Sequence, residues 1–163
     1  MRKIIILIIL LLTIALPLSA CKEDTEDIVS LVDNPEGYAE ESFEPFDTDD
    51  GSILKVFVKE DRIIVSALGT GGYNGDVKIV ALIENGVILA VSGYDITEKG
   101  RGEKAFKDSF LNQFVDKNIS GLDKFAGGAK PIEGVDILYV TGATYSCKAV
   151  INAVNTIVDW YNK

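Results

Sequence analysis

The chain has 163 residues, too few for two domains of ordinary size, a formal net charge of −9, no histidine and two cysteines. Those counts exclude a histidine-based triad, histidine-ligated zinc and four-cysteine metal sites. The acidic balance argues against nucleic acid as a partner.

The first stretch, MRKIIILIILLLTIALPLSAC, places Arg2 and Lys3 before an apolar run from Ile4 to about Leu16, then small residues before Cys21. This is the layout of a secretory signal over residues 1–20. LSAC at 18–21 resembles a bacterial lipobox, which implies cleavage before Cys21 and a diacylglycerol on its sulfur. Pro17 and Lys22 leave the apolar run short of the ~20 residues a spanning helix needs. The expected location is the outer face of the cytoplasmic membrane, with the exported chain anchored there by lipid. Cys21 and Cys147 would form one disulfide if both were free; a lipidated Cys21 cannot pair, and Cys147 becomes a lone thiol. Losing Arg2 and Lys3 with the leader takes the charge from −9 to −11.

Residues 21–51 are rich in Asp and Glu with Lys22 the one cation. Such a segment buries too little to order itself, so a flexible tether is expected, with a helical turn near 28–32. About 30 residues at ~3.4 Å each reach on the order of 100 Å when stretched.

From Ser52 the pattern is that of strands, and residues 52–163 form the expected domain. ILKVFV and RIIVSAL flank Glu60-Asp61 as a hairpin. A glycine-rich loop, GTGGYNG, precedes DVKIVALIE and VILAVSG, which are joined by Asn85-Gly86, a strong hairpin signal because both turn positions must accept positive φ. The next segment, GYDITEKGRGEKAF, opens a helix with Phe106, Phe110 and Phe114 at i+4 spacing, expected in the core. VDILYV at 135–140 is the fifth expected strand. The closing segment carries Cys147, Val150, Ile151, Val154, Ile157, Val158 and Tyr161 at helical spacing, a stripe on which Cys147 is expected to be buried and inert. The predicted fold is α+β: a small, mainly antiparallel sheet of about five strands packed with two helices.

Between that last strand and helix lies VTGATYSCKAV at 140–150. The start of a helix offers unpaired backbone N–H groups and a partial positive charge, where phosphate is held well. Gly142 and Ala143 allow close approach, and Thr141, Thr144 and Ser146 offer hydroxyls. Thr144 or Ser146 would equally serve as a plain N-cap, and the residues alone leave both roles open.

TGATYS resembles the flavinylation motif of the FMN-binding domain family: Ser/Thr, Gly, Ala, Thr/Ser, any residue, Ser/Thr. That family includes the C subunit of the sodium-pumping NADH:quinone oxidoreductase and the G subunit of the Rnf complex. The upstream run GYNGDVKIVALIENGVILAVSGYDITEKGRGEKAF is similar to the family's Gly-Tyr-x-Gly, strand, turn, strand and flavin-approaching loop. The likeness runs from about Gly72 to Val158. It implies FMN attached covalently, by a dedicated FMN transferase, through its phosphate to Thr144, with Thr141, Gly142, Ala143 and Ser146 around the phosphate. Glu98, Gly100 and Arg101 are implied on the flavin-approaching loop. Two positions depart from the family pattern: Leu138 stands where aspartate is frequent, and Lys99 and Arg101 replace proline and leucine.

The resemblance implies an electron carrier served by redox proteins or a quinone-linked donor, with no substrate pocket of its own. Two other readings differ in class. One is a flavin-dependent reductase of a small acceptor, which turnover by the isolated flavinylated domain would reveal. The other is a flavin-free binding or structural lipoprotein, in which TGAT is only a cap and Thr144 stays unmodified.

Overall fold

The computed structural model describes residues 28–163, so the leader and Cys21 lie outside the described residues. The elements are β1 (Ala39–Glu40), β2 (Gly51–Lys59), β3 (Arg62–Gly72), β4 (Gly75–Glu84), β5 (Val87–Tyr94), a 3-10 turn (Gly102–Phe106), α1 (Asp108–Leu111), β6 (Gly127–Gly128), β7 (Ile137–Leu138) and α2 (Thr144–Tyr161). Strands β1 to β5 form one antiparallel sheet in sequence order. The α+β expectation holds.

The hairpins form where the turn chemistry predicts. Asn85 (φ 51°) and Gly86 (φ 78°) join β4 to β5 through two left-handed positions, as an Asn-Gly turn requires. Glu60 and Asp61 join β2 to β3 at the same end of the sheet. At the opposite end the glycine-rich stretch is a hairpin turn about Tyr73 and Asn74, with β3 extending through Gly72. The sequence suggests a loop over 69–75, but glycines at 69 and 72 stay in the ladder, and neighbouring groups occupy the space that side chains there would need.

Alternate residues of the strands face two separate cores. Val65, Ala67, Val77, Ile79, Ala81 and Ile83 face α2, while Phe57, Ile64, Val80 and Leu82 face the other way. Helix α2 lies directly on β3: a Cβ at Gly69 would overlap the Ala149 carbonyl oxygen. Each fully buried Ile, Val or Phe contributes roughly 1.5–3 kcal/mol by leaving water.

The second face is covered by the segment expected to be a free tether. Ile28 and Val29 are buried against Phe57, Ile64, Val80 and Leu82, with Val32 and Tyr38 beside them. Ala39 and Glu40 then pair with Val58 and Phe57 as the edge strand, and Phe43 and Phe46 pack on the α2 core. For residues 28–51 the flexible-tether expectation is therefore corrected. A few apolar residues spaced among acids are enough to strap the segment to an exposed sheet face.

Two further expectations are corrected. VDILYV contributes only Ile137 and Leu138, paired in parallel with Gly127 and Gly128 outside the main sheet, and the fifth strand of that sheet is β1. The phenylalanine segment is a 3-10 turn followed by the single turn of α1 rather than one helix. Phe110 and Phe114 are nonetheless fully buried, edge-to-face at 5.9 Å, and Phe106 packs at the margin.

Candidate functional site

Helix α2 spans 18 residues from Thr144 to Tyr161 and begins with no side-chain cap; its N-cap residue is Ala143. The plain-cap role open to Thr144 or Ser146 is thus not taken, because both lie inside the helix rather than before it. The first helical hydrogen bond runs from Cys147 N–H to the Ala143 carbonyl at 2.8 Å. The amides of Thr144, Tyr145 and Ser146 precede it, at the positive end of the helix dipole.

The turn before the helix is fixed on both sides. Ala143 N–H donates to the Val140 carbonyl at 2.9 Å, and Val140 N–H donates to Cys147 Sγ at 3.4 Å. Cys147 is fully buried, and burial pushes its thiol above the usual range. A protonated, enclosed thiol is a poor nucleophile, so its work here is to hold the turn. Gly142 adopts φ 81°, and Arg101 crosses it: a Cβ at 142 would lie 2.9 Å from Arg101 Cδ.

A cavity of about 350 Å³ opens at this helix start, lined by Tyr73, Lys99, Arg101, Gly102, Gly142, Ala143, Thr144 and Tyr145. Of the residues expected at the site, the structure places Thr144, Gly142, Ala143 and Arg101 together on its wall. Thr141 and Gly100 are exposed outside that lining, and Gly100 N–H donates to Glu103 Oε1 at 3.0 Å.

Glu98 is buried and sits behind the wall, accepting from Asn74 N–H at 3.2 Å and Asn74 Nδ2 at 3.4 Å. It ties the β3–β4 turn, which carries Tyr73, to the loop that carries Lys99 and Arg101. Gly72 and Gly102 make room for it, since a Cβ on either would run into its carboxylate.

Ser146 is buried beside Gly102, where a Cβ would lie 2.8 Å from Ser146 Oγ. Among the described residues this hydroxyl is the buried side-chain polar atom without a hydrogen-bond partner. An unpartnered buried hydroxyl costs about 1–3 kcal/mol, so something from outside the chain is expected to satisfy it.

Lys99 and Gly102, on the loop that the resemblance brings near the flavin, line the cavity too, whereas sequence reasoning missed Tyr73 and Tyr145 as lining residues. Tyr73 and Tyr145 are 74% and 63% exposed. The available signals were an aromatic set in a glycine-rich turn and a tyrosine off the apolar stripe of α2.

The FMN-binding domain family model matches residues 72–159. The chain is also 33% identical, over 108 residues, to the G subunit of the ion-translocating oxidoreductase complex of Shewanella baltica (strain OS223). That match covers 64% of this chain and 50% of the relative, so the chain spans about half the length of the curated relative it matches.

Proposed function

The chain belongs to the FMN-binding domain family, and from that premise we propose that it is an exported, lipid-anchored electron carrier with FMN esterified through its phosphate to Thr144 Oγ1. The observation that carries this reading is the position of Thr144. It is the exposed first residue of an uncapped 18-residue helix and lines a cavity with Arg101 and Lys99.

The residues fit the group. A phosphodiester needs positive surroundings and hydrogen-bond donors. The amides of the first turn of α2 and the two cations supply them, with the partnerless Ser146 hydroxyl, buried outside the cavity lining, as a further donor within the same helical turn. A planar ring needs apolar faces, and Tyr73 and Tyr145 stand at the cavity mouth. The volume is at the low end for a ligand site, which suits a cofactor whose redox edge stays open to a partner.

FMN when bound supplies one- and two-electron redox chemistry. The chain's own residues position it. Gly142 lets the backbone approach the phosphate, Arg101 and Lys99 offset its charge, Glu98 with Asn74 fixes the loop, and Cys147 holds the turn at Val140. Attachment forms a bond from Thr144 Oγ1 to phosphorus. Oγ1 gives up its proton, the phosphoanhydride P–O bond of an activated FMN donor, a flavin dinucleotide in class, breaks, and the nucleoside monophosphate departs with the electron pair, in a site presented to an FMN transferase. Covalent attachment suits an exported protein, because a noncovalent ligand is lost once its concentration falls below its dissociation constant.

Similarity to a component of an ion-translocating oxidoreductase complex supports redox proteins or a quinone-linked donor as partners. The lipid on Cys21 is the proposed membrane attachment; no helix among the described residues is long and apolar enough to cross a membrane.

The test is co-expression with an FMN transferase, followed by denaturing electrophoresis and peptide mass analysis. Flavin fluorescence that survives denaturation and maps to the Thr144 peptide is expected, with Thr144→Ser retaining it and Thr144→Val losing it. Retention in Thr144→Val would remove the attachment site proposed here. Cys21→Ser should release the protein from the membrane fraction.

A further inference from the structure

Charge is split across this sheet. Between residues 28 and 50 there are eight acids and no cation, and this segment follows the β1–β2 edge. At the other edge, the loop leaving β5 carries Lys99, Arg101, Lys104 and Lys107. Lys99 and Arg101 are the charged residues of the cavity lining. Lys148 is exposed four residues beyond Thr144, on the same face of α2. Among the described residues none of these five cations is in an ion pair, whereas Arg62, Lys78 and Lys124 all are.

The acids near the mouth are few. Glu98 is buried, Glu103 engages Gly100 N–H, Asp95 is paired with Lys78, and Asp76 and Asp108 are exposed. Tyr73 and Tyr145, 74% and 63% exposed, line the same cavity as Lys99 and Arg101. Exposed aromatics beside an arginine, with further cations nearby in the chain, match the composition of a protein interface, in which aromatics and arginine are enriched.

We infer that this mouth is the docking surface for an acidic redox protein. The inference rests on the flavin reading for its purpose but not for its geometry, since the cations and tyrosines are present without the cofactor. One phosphodiester charge in the cavity leaves Lys104 and Lys148 outside to meet the partner. Local charge, rather than the net charge, then sets the choice of partner and the rate of encounter.

The test is a titration of isotope-labelled protein with flavodoxin as an acidic redox partner and, separately, with cytochrome c as a basic one, followed by amide chemical shifts. Flavodoxin should perturb residues 73, 99–104 and 142–148 at roughly 10 mM salt and lose contact at about 500 mM. The pair Lys104→Glu and Lys148→Glu should weaken it about tenfold or more, while cytochrome c maps to residues 33–50. Cytochrome c at the mouth, flavodoxin elsewhere or not at all, insensitivity to both charge reversals, or tighter binding of the mouth to phosphatidylglycerol vesicles would each overturn the inference. Binding is read without flavin, so failure of Thr144 flavinylation and failure of this docking face are separate results.

Discussion

Arg101 lies across Gly142 so closely that a Cβ on the glycine would come within 2.9 Å of Arg101 Cδ. The loop that carries Arg101 and the turn before α2 are thus closely apposed, and the glycine is needed both for its φ of 81° and for the space it leaves.

Gly142→Ala should cost about 1 kcal/mol or more in stability, from the left-handed backbone alone, and should lower flavin loading by displacing Arg101. Adding Arg101→Ala should restore part of the stability but not the loading. Thermal melts and flavin-to-protein absorbance ratios check both. Equal losses in the single and double variants would mean that the contact has no role.

Ser146→Ala should change sign with the cofactor. In protein lacking flavin it removes a buried hydroxyl without a partner and should be neutral or stabilising by up to about 1 kcal/mol. In flavinylated protein it removes a donor to the phosphate and should be destabilising by a similar amount. Paired melting curves decide this, and the same sign in both forms would show that Ser146 does not contact the phosphate.

Tyr73→Leu and Tyr145→Leu should leave the Thr144 attachment intact and raise flavin fluorescence yield and lifetime, because a stacked phenol quenches the excited ring. No change in either variant would place the ring away from the cavity mouth.

The clasp on the N-terminal segment predicts two pH limits. Asp33 accepts from Tyr38 Oη at 2.7 Å and from Arg62 Nη1 at 2.9 Å; the Tyr38 hydrogen bond, foremost, holds its carboxyl below the ordinary 3.8. A depressed carboxylate stabilises the fold above its unfolded value, and that contribution is lost as pH falls below about 3.8. Tyr38 is pushed up to about 12 by burial and by Asp33. A raised phenol stabilises the fold fully below its ordinary 10.0, and this is lost between there and about 12. Proteolysis within residues 30–50 should accelerate at both ends of this range, and Asp33→Asn should abolish the acid limb.

The hairpins and α2 were legible because their signals are local: Asn85-Gly86 needs two left-handed positions, and the stripe from Cys147 to Val158 has one period. The core phenylalanines were legible for the same reason, though the break between Phe106 and Phe110 was not, since nothing local marks it at Lys107. The N-terminal strap was missed because its few apolar residues sit among acids. The signal was elsewhere, in VKIVALI, a strand apolar on both faces that α2 can cover on only one. At the site, the motif pointed to Thr144, Gly142 and Ala143 together. Tyr73 sits on a local hairpin turn, but its meeting with Thr144 at the cavity is a long-range contact that its neighbours do not specify.

Under the proposed anchoring at Cys21, strapping residues 28–50 to the sheet would change the geometry of diffusion. Seven steps separate Cys21 from Ile28, and at ~3.4 Å each they extend to roughly 24 Å, about a quarter of the reach of an unfastened acidic leash. A carrier moored as proposed would explore a thin layer above the bilayer, and collisions with neighbours would become a search over a plane rather than through a volume. Loosening the strap, by Ile28→Asp for instance, would exchange frequent short-range encounters for rarer distant ones.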